Sequence, residues 1–377
     1  MGQPPPPAFR TEASELSKIA VPIMLLSMLS FLMVMVDMAM VGWLGTQELA
    51  ASALANTYFN CLQHPMVGCA TALDTLLAQS FGAKKFEAFG QWAKTGVLAL
   101  LGLSVPLAGS LFLAEPILLA MGQDAVLAER AGTFCRLLVP GVFPFFVFLG
   151  LTKYLQAQRI LAPSVWIALF ANVMNVGLNW LLIYHLDGGF EGAPIATSLS
   201  RWAQLLALIA YLYYSREAHV KTIPVLWRDP EGIGFSQRCR GFMRLGAPGA
   251  LMLGLEAWAF ETTTLLAGLI GVVPLAAHMV LINTVGFVST VLLCLRFLLS
   301  RKSGSDFCLS FSAICSTRFC MLRNLRCAGK MPQTFLSFPF ALGIASSIRI
   351  GWLLGAGNAA AAKQCGKASF VPSAFSQ

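Results

Sequence analysis

Asp37, Glu256 and Glu261 stand inside runs of apolar residues long enough to cross a bilayer. An ionisable side chain there costs several kcal/mol, at about 2.5–3.5 by insertion scales, and so marks a candidate functional position. Three amides, Asn172, Asn175 and Asn179, follow i, i+3, i+7 spacing in another apolar run and fall on one helix face. A carboxylate in such surroundings can hold a proton or a cation. A site that holds one or the other, but not both, couples two flows by competition.

Depth can be estimated from the nearest basic residues. Asp37 lies 19 residues beyond Lys18, about 28 Å along a helix at roughly 1.5 Å per residue. Glu261 lies 17 residues beyond Arg244, at a similar depth, with Glu256 about 7–8 Å below it. Residues five apart are turned about 140° from each other, so Glu256 and Glu261 do not share a face. Glu261 is expected to face a central cleft and Glu256 a neighbouring helix. Asn179 is about 30 Å of helix beyond Arg159 and so near the level of Asp37. The amides read as a polar pocket inside a first helix bundle or as small-amide packing between helices.

Other polar residues carry weaker signals. His64 and His278 read as hydrogen-bonded core histidines rather than proton relays. Asp74 and Gln79 are expected to fix the junction of their helix with the turn at Gly82. Arg349 is a candidate conformational latch. Met24, Met28, Met33, Met35, Met38 and Met40 offer either a flexible binding surface or ordinary packing.

These residues need helices to position them. With 57% hydrophobic and 11% charged residues and a mean hydropathy of +0.71, the chain is too apolar for a soluble domain. Apolar stretches near 19–41, 50–78, 92–114, 132–152, 161–184, 193–214, 242–266 and 272–295 each suit a spanning helix. Their solid rather than alternating apolar character favours helices over a barrel. The fold class is an all-α polytopic membrane protein, with a complete N-terminal six-helix bundle and the start of a second, pseudo-symmetric one.

Loop charge orients the helices. Lys84, Lys85 and Lys94, then Lys153 and Arg159, then Arg216, Lys221, Arg228, Arg238, Arg240 and Arg244 mark one side. Glu48, then Glu115, Asp124 and Glu129, then Asp187 and Glu191 mark the other, with Arg130 as the exception. The amino terminus is expected to be cytoplasmic. Residues 1–7, with four prolines, lack the features of a cleavable signal.

The chain also repeats itself. Pro22, Gly42, Gly45 and Leu49-Ala50-Ala51 recur at one constant offset as Pro248, Gly268, Gly271 and Leu275-Ala276-Ala277. Ala72 and Gly82-Ala83 recur as Ala345 and Gly355-Ala356 at a longer offset, so extra chain, assigned to 291–337, has entered the second copy. Duplicated apolar units of this kind place a binding site at their interface in secondary transporters.

The interrupting segment, 291–337, holds five of the ten cysteines, and seven Lys/Arg against one Asp. It reads as a retained intron or other gene-model error, against the alternative of a native loop. The expected organisation is a cytoplasmic N-terminal segment 1–17, a six-helix bundle 18–217 and a cytoplasmic linker 218–240. The first part of a second bundle, 241–290, the insert and a closing 338–377 follow.

Several function classes are excluded. Outside the insert the chain carries 19 basic against 16 acidic residues, so its net charge of +9 is mostly local and no nucleic-acid partner is expected. The insert cysteines contain no CxxC pair, which argues against a metal site. Neither paired His and acid groups nor GxSxG turns of a membrane enzyme occur. No cofactor is expected beyond a coupling H⁺ or Na⁺.

The segments Glu256-Ala-Trp-Ala-Phe-Glu261, Leu275-Ala-Ala-His278, Ala345-Ser-Ser-Ile-Arg-Ile-Gly351 and Leu354-Gly-Ala-Gly-Asn358 resemble the multidrug and toxic compound extrusion (MATE) family, particularly its eukaryotic branch. So do Val36-Asp-Met-Ala-Met-Val-Gly-Trp-Leu-Gly45, Thr71-Ala-Leu-Asp-Thr75 and Gln79-Ser-Phe-Gly-Ala83. The resemblance covers about 15–290 and 338–367. It implies two six-helix bundles around a central cleft, exporting organic cations, xenobiotics or metabolites in exchange for H⁺ or Na⁺. Glu256 and Glu261 match the family's seventh-helix glutamates, and Asp37 its first-helix aspartate. Relatives with an acidic site often carry Asp where this chain has Asn179, which favours H⁺ over Na⁺. By the same resemblance helices 9 to 12 are missing. The alternative function is therefore a non-transporting fragment, inert or interfering by association with a full-length relative. Plasma membrane and vacuolar membrane are equally compatible.

Overall fold

A computed structural model describes residues 9–215, 234–281, 283 and 334–374, and every regular element among them is helical. The helices are α1 (Phe9–Gly42), α2 (Thr46–Gly82), α3 (Phe86–Phe112), the short α4 (Ala114–Ala120), α5 (Ala125–Ala157), α6 (Ala162–Trp180), α7 (Gly189–Tyr214), α8 (Phe235–Ile270), α9 (Thr334–Gly355) and α10 (Ala359–Ala374). One π-turn, Leu181–His185, extends α6, and a short apolar helix covers Val272–Leu281. The 291–337 segment lies outside the described residues except for its last four, which open α9. Most of the linker and the rest of the eighth predicted span also lie outside them.

Among the described residues, five segments are long and apolar enough to cross a membrane: Lys18–Gly42, Phe86–Phe112, Ala125–Ala157, Ala162–His185 and Gly189–Tyr214. The predicted spans at 50–78 and 242–266 do form single long helices, α2 and α8, but these are less apolar. Their positions explain the difference. α2 runs through the interior, where Asp74 is buried and Asn56, Asn60 and His64 are half-buried, and α8 withdraws Glu261 and Thr264 from the surface while Leu251, Met252, Leu255 and Ile270 on its other side stay exposed. α2 is the hub, packing on α3 and α5 of the first bundle and on α8 and α9 of the second copy.

Bare backbone sets the α2–α8 crossing. A methyl group added at Gly68 would overlap the Gly249 carbonyl oxygen, so only glycine permits this approach. Near the other end of α2, a Cβ on Gly82 would overlap the Trp352 carbonyl oxygen of α9. α9 also buries Ile344, Ala345 and Ile348 against Ile19, Ala20 and Ile23 of α1. The second-copy helices thus grip α1 and α2 crosswise: α8 lies on α2, and α9, the counterpart of α2, lies on α1, the counterpart of α8.

The repeat persists in individual dihedral angles. Gly45 and its counterpart Gly271 have φ of 153° and 145°, and each accepts at its carbonyl from the amide four positions on, Leu49 and Leu275. At the longer offset, Lys84 and Gly357 are both left-handed, with φ of 58° and 77°. The three turn bonds around Lys84 recur between the matching positions of the second copy. Ala83 to Gln79, Lys84 to Phe81 and Lys85 to Ser80 become Ala356 to Trp352, Gly357 to Leu354 and Asn358 to Leu353. A non-glycine residue strains at such an angle, and glycine relieves the strain in the second copy.

Two sequence expectations need correction. Lys153 is not in a loop: it lies within α5, buried, where its Nζ donates to Oδ2 of Asp74 at 2.8 Å. Asp74 accordingly does not fix the Gly82 turn but joins α2 to α5. A carboxylate partner on the facing helix is what lets the ammonium stay inside the bundle. Arg130, the exception to the charge pattern, pairs with Glu48 at its own end of the bundle.

Candidate ion-coupling sites

α1, α6 and α7 assemble the first site. Asp37 is 7% exposed, and its carboxylate accepts from three neutral donors on two other helices. Asn175 and Asn179 of α6 donate their Nδ2 groups to Oδ1 at 3.2 and 2.7 Å, and the Thr197 hydroxyl of α7 lies 2.6 Å from Oδ2. The predicted amide stripe therefore faces the bundle interior, but only two of its members reach Asp37. Asn172 is buried and donates to the Ala168 carbonyl of its own helix at 2.8 Å. The Oδ1 atoms of Asn172 and Asn179 are buried without partners.

The second site lies where α2 meets α8. Glu261, 7% exposed, accepts from Asn60 Nδ2 at 3.0 Å, and the Thr57 hydroxyl lies beside it without completing a hydrogen bond. Glu261 thus lies in the seam between the two copies. The seam continues along the same face of α8. The Trp258 indole donates to the Cys61 carbonyl at 2.8 Å, and Gln123, from the turn before α5, donates to the Leu265 carbonyl at 3.1 Å. Glu256 is half-buried, lies on a different face and makes no hydrogen bond among the described residues.

The two sites share a design. Each carboxylate is withdrawn from water, is approached by neutral N–H or O–H donors and makes no ion pair among the described residues. Such a group can exchange its counter-charge for a proton or cation without first breaking a salt bridge. The buried Asp74, tied to Lys153, lacks that freedom.

His64 Nδ1 lies 2.8 Å from the Asn60 carbonyl, one turn back on α2, and Met24 and Met38 are core residues. Among the described residues no cluster of three or more His, Cys, Asp or Glu side chains could hold a metal ion.

Sequence reasoning missed Asn60, Gln123, Thr197 and Arg201. The test that selected Asp37 applies equally to Arg201, an ionisable group in the apolar stretch 193–214. Thr197, four positions earlier, shares its face. Asn60 and Gln123 carry no such signal, because an amide acquires its meaning only from what crosses it.

Residues 22–181 match the MatE family. The chain is 33% identical over 264 residues to Protein DETOXIFICATION 12 of Arabidopsis thaliana, covering 70% of this chain and 54% of that protein. It is 30% identical over 358 residues to Multidrug and toxin extrusion protein 2 of Mus musculus, covering 94% of this chain and 52% of that protein. The chain thus spans about half the length of these curated relatives. Its structure matches that of the eukaryotic MATE transporter AtDTX14 with a TM-score of 0.74 at 26% identity, covering 96% of this chain and 70% of the other. An outward-facing MATE transporter of the MOP superfamily shares the fold, with a TM-score of 0.63 at 17% identity, covering 96% of this chain and 69% of the other. The duplicated helices, their turns and these likenesses lead to one conclusion: the chain is an integral membrane protein belonging to the MATE family.

Proposed function

We propose that the chain belongs to a secondary antiporter that exports organic cations, xenobiotics or metabolites in exchange for H⁺, with Na⁺ the weaker candidate. The observation that carries this reading is the pair of buried carboxylates, Asp37 and Glu261, each held by neutral donors alone. Glu261 is the principal coupling group, because its partner lies on the other copy and its occupancy bears on how the copies meet. Asp37 with Asn175, Asn179 and Thr197 is the second ion site, Asn172 completes the polar lining, and Glu256 is an accessory acid.

The relatives' names, which speak of multidrug and toxin extrusion, support this substrate class. The protein is a transporter in this reading rather than an enzyme, and its ligands are small molecules and the bilayer. Its membrane is the plasma membrane or the vacuole, with the amino terminus in the cytoplasm.

Proteoliposomes holding the chain and a pH gradient test the reading with ethidium as the probe. Gradient-dependent ethidium movement that disappears in Glu261→Gln supports it. Movement that ignores the gradient, or survives Glu261→Gln and Asp37→Asn together, refutes it. If the chain moves nothing but suppresses movement by a co-reconstituted full-length relative, the interfering-fragment reading replaces it.

A further inference from the structure

Inside the first bundle, Arg201 of α7 packs against two aromatic rings. Its guanidinium carbon is 5.3 Å from the ring centre of Phe59 on α2 and 5.1 Å from that of Phe145 on α5. Phe59 is 3% exposed and belongs to the interior, whereas Phe145 and Arg201 are partly buried. Nη1 of Arg201 is buried and has no hydrogen-bond partner. Asp37 is the carboxylate whose charge acts on Arg201, but its oxygens already accept from Asn175, Asn179 and Thr197.

The geometry restricts what can satisfy this group. Aromatic contacts engage the faces of a guanidinium, and its N–H bonds lie in its own plane and point outward from the edge. A buried donor left unmade is costly, more so on a charged group. An acceptor that suits it is planar and oxygen-bearing, and is placed within hydrogen-bond reach of Nη1. A carboxylate answers that description, since it pairs with guanidinium in a fork of two parallel bonds. Phe59 and Phe145 add an apolar wall on which an aromatic body attached to that carboxylate can rest.

We propose that Arg201, Phe59 and Phe145 form a subsite for the carboxylate of an amphipathic aromatic ligand, distinct from the cation chemistry of Glu261. The first bundle then selects ligands by an anionic group, and the seam between the copies by a cationic one. The two together suit zwitterionic or mixed substrates better than simple organic cations.

The test is binding of 2-naphthoate and its neutral isostere 2-naphthamide, by equilibrium dialysis, to the chain in phosphatidylcholine nanodiscs. No gradient is needed, so failure here and failure of the antiporter reading are separate results. The chain should bind 2-naphthoate at least tenfold tighter than the amide. Arg201→Gln should lose that preference, so that the two probes bind about equally, and Arg201→Lys, which keeps the charge but not the fork, should retain only part of it. Equal affinity for the two probes in the unaltered chain overturns the proposal, as does an unchanged preference in Arg201→Gln. Should Arg201→Gln fail to fold, Phe145→Ala decides: weaker binding of both probes supports the subsite, and unchanged binding of both overturns it.

Discussion

Lys153 of α5 and Asp74 of α2 form an ion pair inside the first bundle, 2.8 Å apart, with 7% and 3% of their side chains exposed. A pair so placed gains little over an apolar replacement, but breaking it strands a charge. Lys153→Met alone should cost about 3–5 kcal/mol of stability, whereas Asp74→Asn with Lys153→Met should recover most of it. Denaturant unfolding in micelles measures both. A double variant no more stable than the single one would show that the pair is not an isolated strut.

Thr197 supplies the shortest of the three hydrogen bonds to Asp37. Hydrogen bonds to a charged group contribute about 1.5–3 kcal/mol. Thr197→Val should therefore weaken gradient-driven ethidium movement by roughly tenfold or more if that bond forms during the cycle. Asn172→Ala should leave it within about twofold, because among the described residues Asn172 bonds only to its own helix. Equal losses in the two variants would remove the distinction drawn between them.

Asn60 and Glu261 should behave as a coupled pair. A double-mutant cycle of Asn60→Ala and Glu261→Gln, read by the stability of the α2–α8 contact, should give an interaction of about 1–3 kcal/mol. Additive effects would mean that the 3.0 Å contact carries no energy.

Glu15 lies before the first membrane span, and its carboxyl is held below the usual carboxylate range. The hydrogen bond from Lys18 does most of this, with burial opposing it and the charges of Lys18, Arg159 and Arg349 assisting. A depressed value means that the folded chain holds the charged form more tightly than the unfolded chain. Glu15's contribution to stability is therefore full above the ordinary glutamate pKa of about 4.3, and it is lost as pH falls through the lower folded value. Glu15→Gln should lower the melting temperature at pH 7, and the gap from the parent should close on acidification below about pH 4. A gap independent of pH would assign Glu15 a packing role.

The helices, the repeat and the burial of Asp37 and Glu261 were legible because each depends on local spacing and bulk hydropathy. Partnership was not. Lys153 looks like a loop cation until Asp74 is found opposite it, and the amide stripe looks uniform until α1 approaches only Asn175 and Asn179. Spacing along α8 singles out Glu261 but says nothing about which helix covers it. Arg201 was readable by the same rule as Asp37, yet the charge pattern drew attention to the loops instead.

The crossing of α2 and α8 at Gly68 and Gly249 has a mechanical meaning. With bare backbone on both helices at this one point, and Thr71 and Cys69 only flanking it, the contact can act as the fulcrum of a rocker. Glu261 stands further along α8 by a lever arm of about 18 Å. A tilt of roughly 10° about the fulcrum displaces that carboxylate by about 3 Å, as much as the whole length of its bond to Asn60. One small rotation would therefore undo the seam while leaving the bearing itself intact.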